Sequence, residues 1–136
     1  MSAAALLPVL LAVQATPEPQ PTPEIDWATL PDLPYREAPR MTEPMHDWVY
    51  GQVRARKCRA GRLVDGRAAV RIQIAVLVHP EDGVRASIPR SIGCPSVEQY
   101  AAGLVSSFAR NNLTSRPSVF SNPQWYRATV TFAWRK

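Results

Sequence analysis

Few side chains in this chain are typed and spaced for chemistry, and the most telling are Cys58 and Cys94. They are the two cysteines of the sequence, too far apart for a redox Cys-x-x-Cys pair and too few for a structural zinc site. In an oxidising compartment they would form a disulfide; a pair of buried thiols is the alternative, and the even count together with an export-like N-terminus favours the bridge. Closing such a loop stabilises a small fold by about 2–4 kcal/mol. Histidine meets acid at His46-Asp47 and at His79-x-Glu81-Asp82, the neighbours that acid–base chemistry or metal binding would need. No serine or cysteine nucleophile stands beside either pair, and both fall where the chain reads as linker or turn. No catalytic, cofactor-binding or metal-binding residue is assigned, and the chain is read as a non-enzyme. Asn112-Leu113-Thr114 matches the glycosylation sequon, a pattern frequent by chance.

The elements that would position any site occupy the back two thirds of the 136 residues. Residues 1–15 form an apolar run ending in Val13-Gln14-Ala15, as a secretory signal does, although no Lys or Arg precedes it. The run is shorter than the roughly 20 residues that span a bilayer, so no transmembrane span is expected in the mature form. Residues 16–46 read as a proline-rich acidic linker, in which Trp27, Leu30, Leu33 and Tyr35 are the residues able to dock on the domain or on a partner. From Thr16 to Asp47 the net charge is −5, and from Trp48 to Lys136 it is +10, so the two regions should attract. The basic part could also meet anionic lipid, cell-wall polymer or an acidic protein segment. Nucleic acid is disfavoured, because the arginines are scattered through strands rather than bunched with stacking aromatics.

Residues 47–136 read as one α+β domain: a small antiparallel sheet of three to four strands packed by one amphipathic helix. Trp48–Ala55 has the composition of a strand. Val70, Ile72, Ile74, Val76 and Val78 alternate with Arg71, Gln73, Ala75, Leu77 and His79, a period of two; Pro80 and Asp82-Gly83 break it, and Val84, Ala86 and Ile88 resume it as a hairpin. Ser96 and Gln99 have the spacing of a capping box, with Pro95 before them and Glu98 in the first turn. Val97, Tyr100, Ala101, Leu104, Val105 and Phe108 then make one apolar helical stripe, closed by Asn111-Asn112. After a loop at Ser115–Gln124, Tyr126, Ala128, Val130, Phe132 and Trp134 alternate along a final strand.

The strand from Val70 to Val78, Asp82-Gly83, the strand from Val84 to Ile88, and then Arg90-Ser91-Ile92-Gly93-Cys94-Pro95-Ser96-Val97-Glu98-Gln99-Tyr100-Ala101-Ala102, resemble the C-terminal domain of TonB-type energy transducers. The proline-rich stretch before them is a second similarity. The resemblance covers about half the chain; the family's Tyr-Pro start and its aromatic-basic-x-Pro helix end have no counterpart here. It implies a periplasmic or secreted protein-interaction module that binds an envelope protein or peptide, such as an outer-membrane transporter, or a second copy of itself, by strand addition at the edge of the sheet. If the last strand lies at that edge, Arg127, Thr129 and Thr131 are the contacting side chains. With no long membrane helix in the mature chain, transmission of force is not expected. The other reading is a small secreted ligand-binding protein or enzyme whose site is assembled only in three dimensions.

Overall fold

The computed structural model describes residues 3–5, 8–9, 12, 24–114 and 122–135. Most of the apolar run read as a signal, the first prolines of the linker and most of the loop before the last strand therefore lie outside the described residues. The elements run in the order α1 (Glu43–Arg54), β1 (Gly61–Arg62), β2 (Ala68–His79), β3 (Gly83–Pro89), α2 (Pro95–Ala109) and β4 (Gln124–Trp134). Among the described residues no helix is long and apolar enough to cross a membrane.

The four strands form one antiparallel sheet, and the alternation along β2 and β4 turns one face of it toward the helices. Along one side, β2 pairs with β4 from Ala68↔Trp134 to Val78↔Gln124; along the other it pairs first with β1 and then with β3. Gly83 adopts φ +78° and lets the hairpin turn directly into β3, a conformation that side-chain-bearing residues rarely adopt. The even-numbered residues of β2 and β4 face the helices. Val70, Ile72, Ile74, Val76, Val130 and Phe132 meet Val97, Ala101 and Val105 of α2 and Val49 of α1 in a single buried core. Each such large apolar side chain contributes about 1.5–3 kcal/mol by leaving water.

Two expectations are corrected. Trp48–Ala55 is not a strand: Glu43–Arg54 is a helix, so the sheet carries two helices rather than one. Its aromatic and β-branched residues favour strands, but Met45, Val49 and Val53 recur every four residues and pack on the core. Thr42 stands at the N-cap with extended backbone, Pro44 lies in the first turn where its missing N–H is harmless, and Arg54 lies in the last turn. Nor does Ser96 cap α2. The cap is Cys94, with Pro95 as the first helical residue, and the Ser96 hydroxyl donates instead to Gln52 Oε1 of α1 at 2.9 Å. Asn111, at φ +55°, follows the helix end as anticipated.

Cys58 and Cys94 are joined by a disulfide across a Cα–Cα distance of 5.2 Å. It ties the segment after α1 to the N-cap of α2 and closes a loop containing β1, β2 and β3.

Candidate functional site

In an antiparallel ladder, alternate residues point their backbone groups toward the partner strand and away from it. The Arg127 N–H of β4 donates to the Pro31 carbonyl at 2.7 Å, and its carbonyl accepts from the Leu33 N–H at 2.8 Å. Arg127 therefore faces away from β2, and so do Thr129, Thr131 and Ala133, which share its parity. β4 is the outer strand on this side of the sheet. Its edge is covered at both ends: at Arg127 by residues 31–33, which run parallel to it, and at Ala133, whose N–H donates to His46 Nδ1 of α1 at 3.0 Å. Between those brackets, no described residue pairs with the outward N–H and C=O groups of Thr129 and Thr131. Thr129 is exposed and Thr131 half-buried.

The residues that cover the edge belong to a strap, residues 24–37, within the stretch expected to be linker. Leu33 is 6% exposed and belongs to the core, and Tyr35 is half-buried against it. Asp32 pairs with the Arg127 guanidinium at 3.0 Å, which also donates to the Trp27 carbonyl at 3.4 Å, while the Trp27 ring lies 5.6 Å from the Arg90 guanidinium. Further on, the Arg36 N–H donates to the Asn112 carbonyl, the Thr114 N–H donates to the Pro34 carbonyl, and the Asn112 side-chain amide exchanges two hydrogen bonds with the Glu37 backbone. The strap thus passes from the face opposite the helices, around the edge of β4, to the end of α2. The asparagine of the sequon is occupied by it. The attraction expected between the acidic and basic regions is seen at Asp32 and Arg127.

The three residues expected at the partner-binding edge do lie on β4 with one outward parity, but not in equivalent states. Arg127 is engaged by the chain's own strap through backbone and side chain; Thr129 and Thr131 face out between the brackets. His46 was a candidate only as a neighbour of Asp47, and the structure gives it a different task, accepting from the Ala133 N–H while its ring meets the edge of Phe132 at 6.4 Å. His79 ends β2 beside a groove of about 1050 Å³ between the hairpin and the end of α2. Among the described residues its buried Nδ1 has no hydrogen-bond partner. Among the described residues no three His, Cys, Asp or Glu side chains stand close enough to hold a metal ion.

Leu33 was expected only as a residue able to dock on the domain or on a partner, and Asp32 was not singled out as part of the site. The available signal was an isolated apolar residue beside an acid in a stretch otherwise made of prolines and polar side chains. Their partner lies 95 residues away, so local pattern could not have named it. No family model, curated protein or solved structure matches this chain.

Proposed function

We propose that this domain is an interaction module of the bacterial cell envelope, of the kind found at the C-terminus of TonB-type transducers, and that it takes an extended peptide or protein segment as an added strand on β4. The observation that carries the reading is the uncovered pair Thr129 and Thr131, on an edge otherwise closed at Arg127 and Ala133. Edge backbone groups of this kind supply affinity, and alternating side chains supply selectivity. The strap already demonstrates how a strand docks there: it uses one residue's N–H and C=O and adds an arginine–aspartate pair. A partner strand continuing from the strap toward Ala133 would meet Thr129 and Thr131 next. An oxidising location outside the cytosol is supported by the disulfide, and export through the apolar N-terminal run completes that picture.

The test is retention of partners from an envelope extract of the source cells by the immobilised protein. Thr129→Pro removes a donor that faces away from β2, so the inner ladder survives and circular dichroism should be unchanged while retention is lost. Equal retention by Thr129→Pro and the unaltered protein overturns the edge reading. The competing reading, a carrier or enzyme acting on a small molecule, draws on the groove beside His79, and it predicts binding that Thr129→Pro leaves intact while His79→Ala removes it.

A further inference from the structure

A second surface lies across β2 from the β4 edge, with Arg71 opposite Thr131 in the ladder, around the turn between β1 and β2. Val64, at its tip, is fully exposed, and Leu63 stands behind it. With Ile92, the exposed apolar residue of the loop before α2, they line a shallow notch of about 510 Å³ whose charged lining is Arg59, Arg62 and Arg71. Among the described residues no acidic one lines that notch. The nearby Asp65 is held by Arg67, which donates to it from both backbone and guanidinium at 3.0 and 2.7 Å. Those two hydrogen bonds from Arg67, backbone and side chain, keep the Asp65 carboxyl below its ordinary range, so it stays ionised yet is matched by Arg67 rather than by the three arginines of the notch.

We propose that this notch and the Val64 tip form a docking site for an anionic phospholipid surface. A solvent-exposed apolar tip ringed by cations is the arrangement by which a protein rests on a membrane: the aliphatic side chains enter the boundary between headgroups and acyl chains, and the guanidinium groups stay among lipid phosphates. A single exposed valine is ordinary, but one framed by three arginines with no acid facing them has charge complementarity to such a surface. Among the described residues no aromatic lines the notch, which favours a lipid surface over nucleic-acid bases seeking a stacking platform. A soluble acidic peptide would satisfy the arginines but would leave Val64 in water. The site does not use the outward backbone groups of β4, although Arg71 stands opposite Thr131 in the ladder, so a docked membrane would lie beside that edge.

The experiment is sedimentation of the full chain with vesicles of phosphatidylcholine alone and with roughly one part in four phosphatidylglycerol, at about 0.1 M salt, where exposed charges interact over about 10 Å. Neutral vesicles report any contribution of the apolar N-terminal run, which every variant shares. The anionic vesicles should bind more tightly, and the combined Arg59→Gln, Arg62→Gln, Arg71→Gln variant should lose about 100-fold, from about fivefold per basic residue at a membrane surface. Val64→Asp, which spares every arginine and lies at an exposed tip, should weaken binding to the anionic vesicles about tenfold with an unchanged melting temperature. Removing the same charge elsewhere, by Arg40→Gln, Arg85→Gln and Arg110→Gln, should leave most of the binding. Thr129→Pro should leave all of it, which separates this site from the proposed partner edge. Equal affinity for both vesicle types, an equal loss in the control variant, or soluble polyglutamate binding as tightly as vesicles with no effect of Val64→Asp would each overturn the assignment.

Discussion

Glu98 is a charged residue placed where α2 meets the core, and what its carboxylate touches explains why it is tolerated there. One oxygen accepts from the Cys94 N–H at 2.7 Å and the Ile92 N–H at 3.3 Å, two groups that the start of a helix and the loop before it leave without partners. The positive end of the α2 dipole favours the negative charge at the same place. Gly93, at φ +77°, folds the loop so that both amides converge. Glu98→Ala strands one buried donor, the Cys94 N–H, and one part-buried, the Ile92 N–H, and should cost about 1–3 kcal/mol in urea unfolding. The sequence had shown Glu98 as an acid in the first turn but had given the cap to Ser96. The two readings share one helix and differ by a few ångströms, because a capping pattern of Ser, Gln and Pro is compatible with a start at either residue until the packing of α1 claims the Ser96 hydroxyl.

At the scale of elements, β2, β3, α2 and β4 were legible because each carries a period of two or of three to four residues over most of its length, and burial on one side enforces that period. α1 was not, since Trp48, Val49, Tyr50 and Val53 favour strands by composition and the helix-starting residues Thr42, Glu43 and Pro44 fell among the prolines of the apparent linker. The strap was legible only as candidates for docking, and its path depends on Arg127 and Asn112, far along the chain. Tyr35 reports whether it is docked. Burial raises its phenol above the ordinary 10.0, so the folded state prefers the neutral form. The stabilisation from this preference is complete below the unfolded value and is lost as pH climbs through the raised folded one. Thermal unfolding of Tyr35→Phe should therefore run parallel to the unaltered protein from neutral pH to about 10 and fall less steeply above it; parallel curves throughout would mean that docking of the strap does not bury the phenol.

The folded part of the 136 residues, strap included, is still small, a size at which the core alone leaves a narrow margin of stability. The disulfide, across a sequence separation of 36, addresses that margin by restricting the unfolded chain. Reduction, or Cys58→Ser with Cys94→Ser, should lower the unfolding free energy by about 2–4 kcal/mol while leaving the sheet's circular dichroism intact at low temperature. A loss of under half a kilocalorie would mean that the core alone holds the fold together. The sheet has one more consequence, which concerns the order of synthesis. β2 sits in the middle and is made early, yet the neighbour that lines its full length, β4, is made some fifty residues later. While the ribosome is still producing the intervening residues, Val70, Ile72, Ile74 and Val76 have only a short hairpin and a helix for company. The nascent chain therefore cannot lock shut before Gln124–Trp134 emerges, and it stays pliable for a long stretch of its own manufacture, the condition under which a polypeptide can still be threaded through a narrow pore.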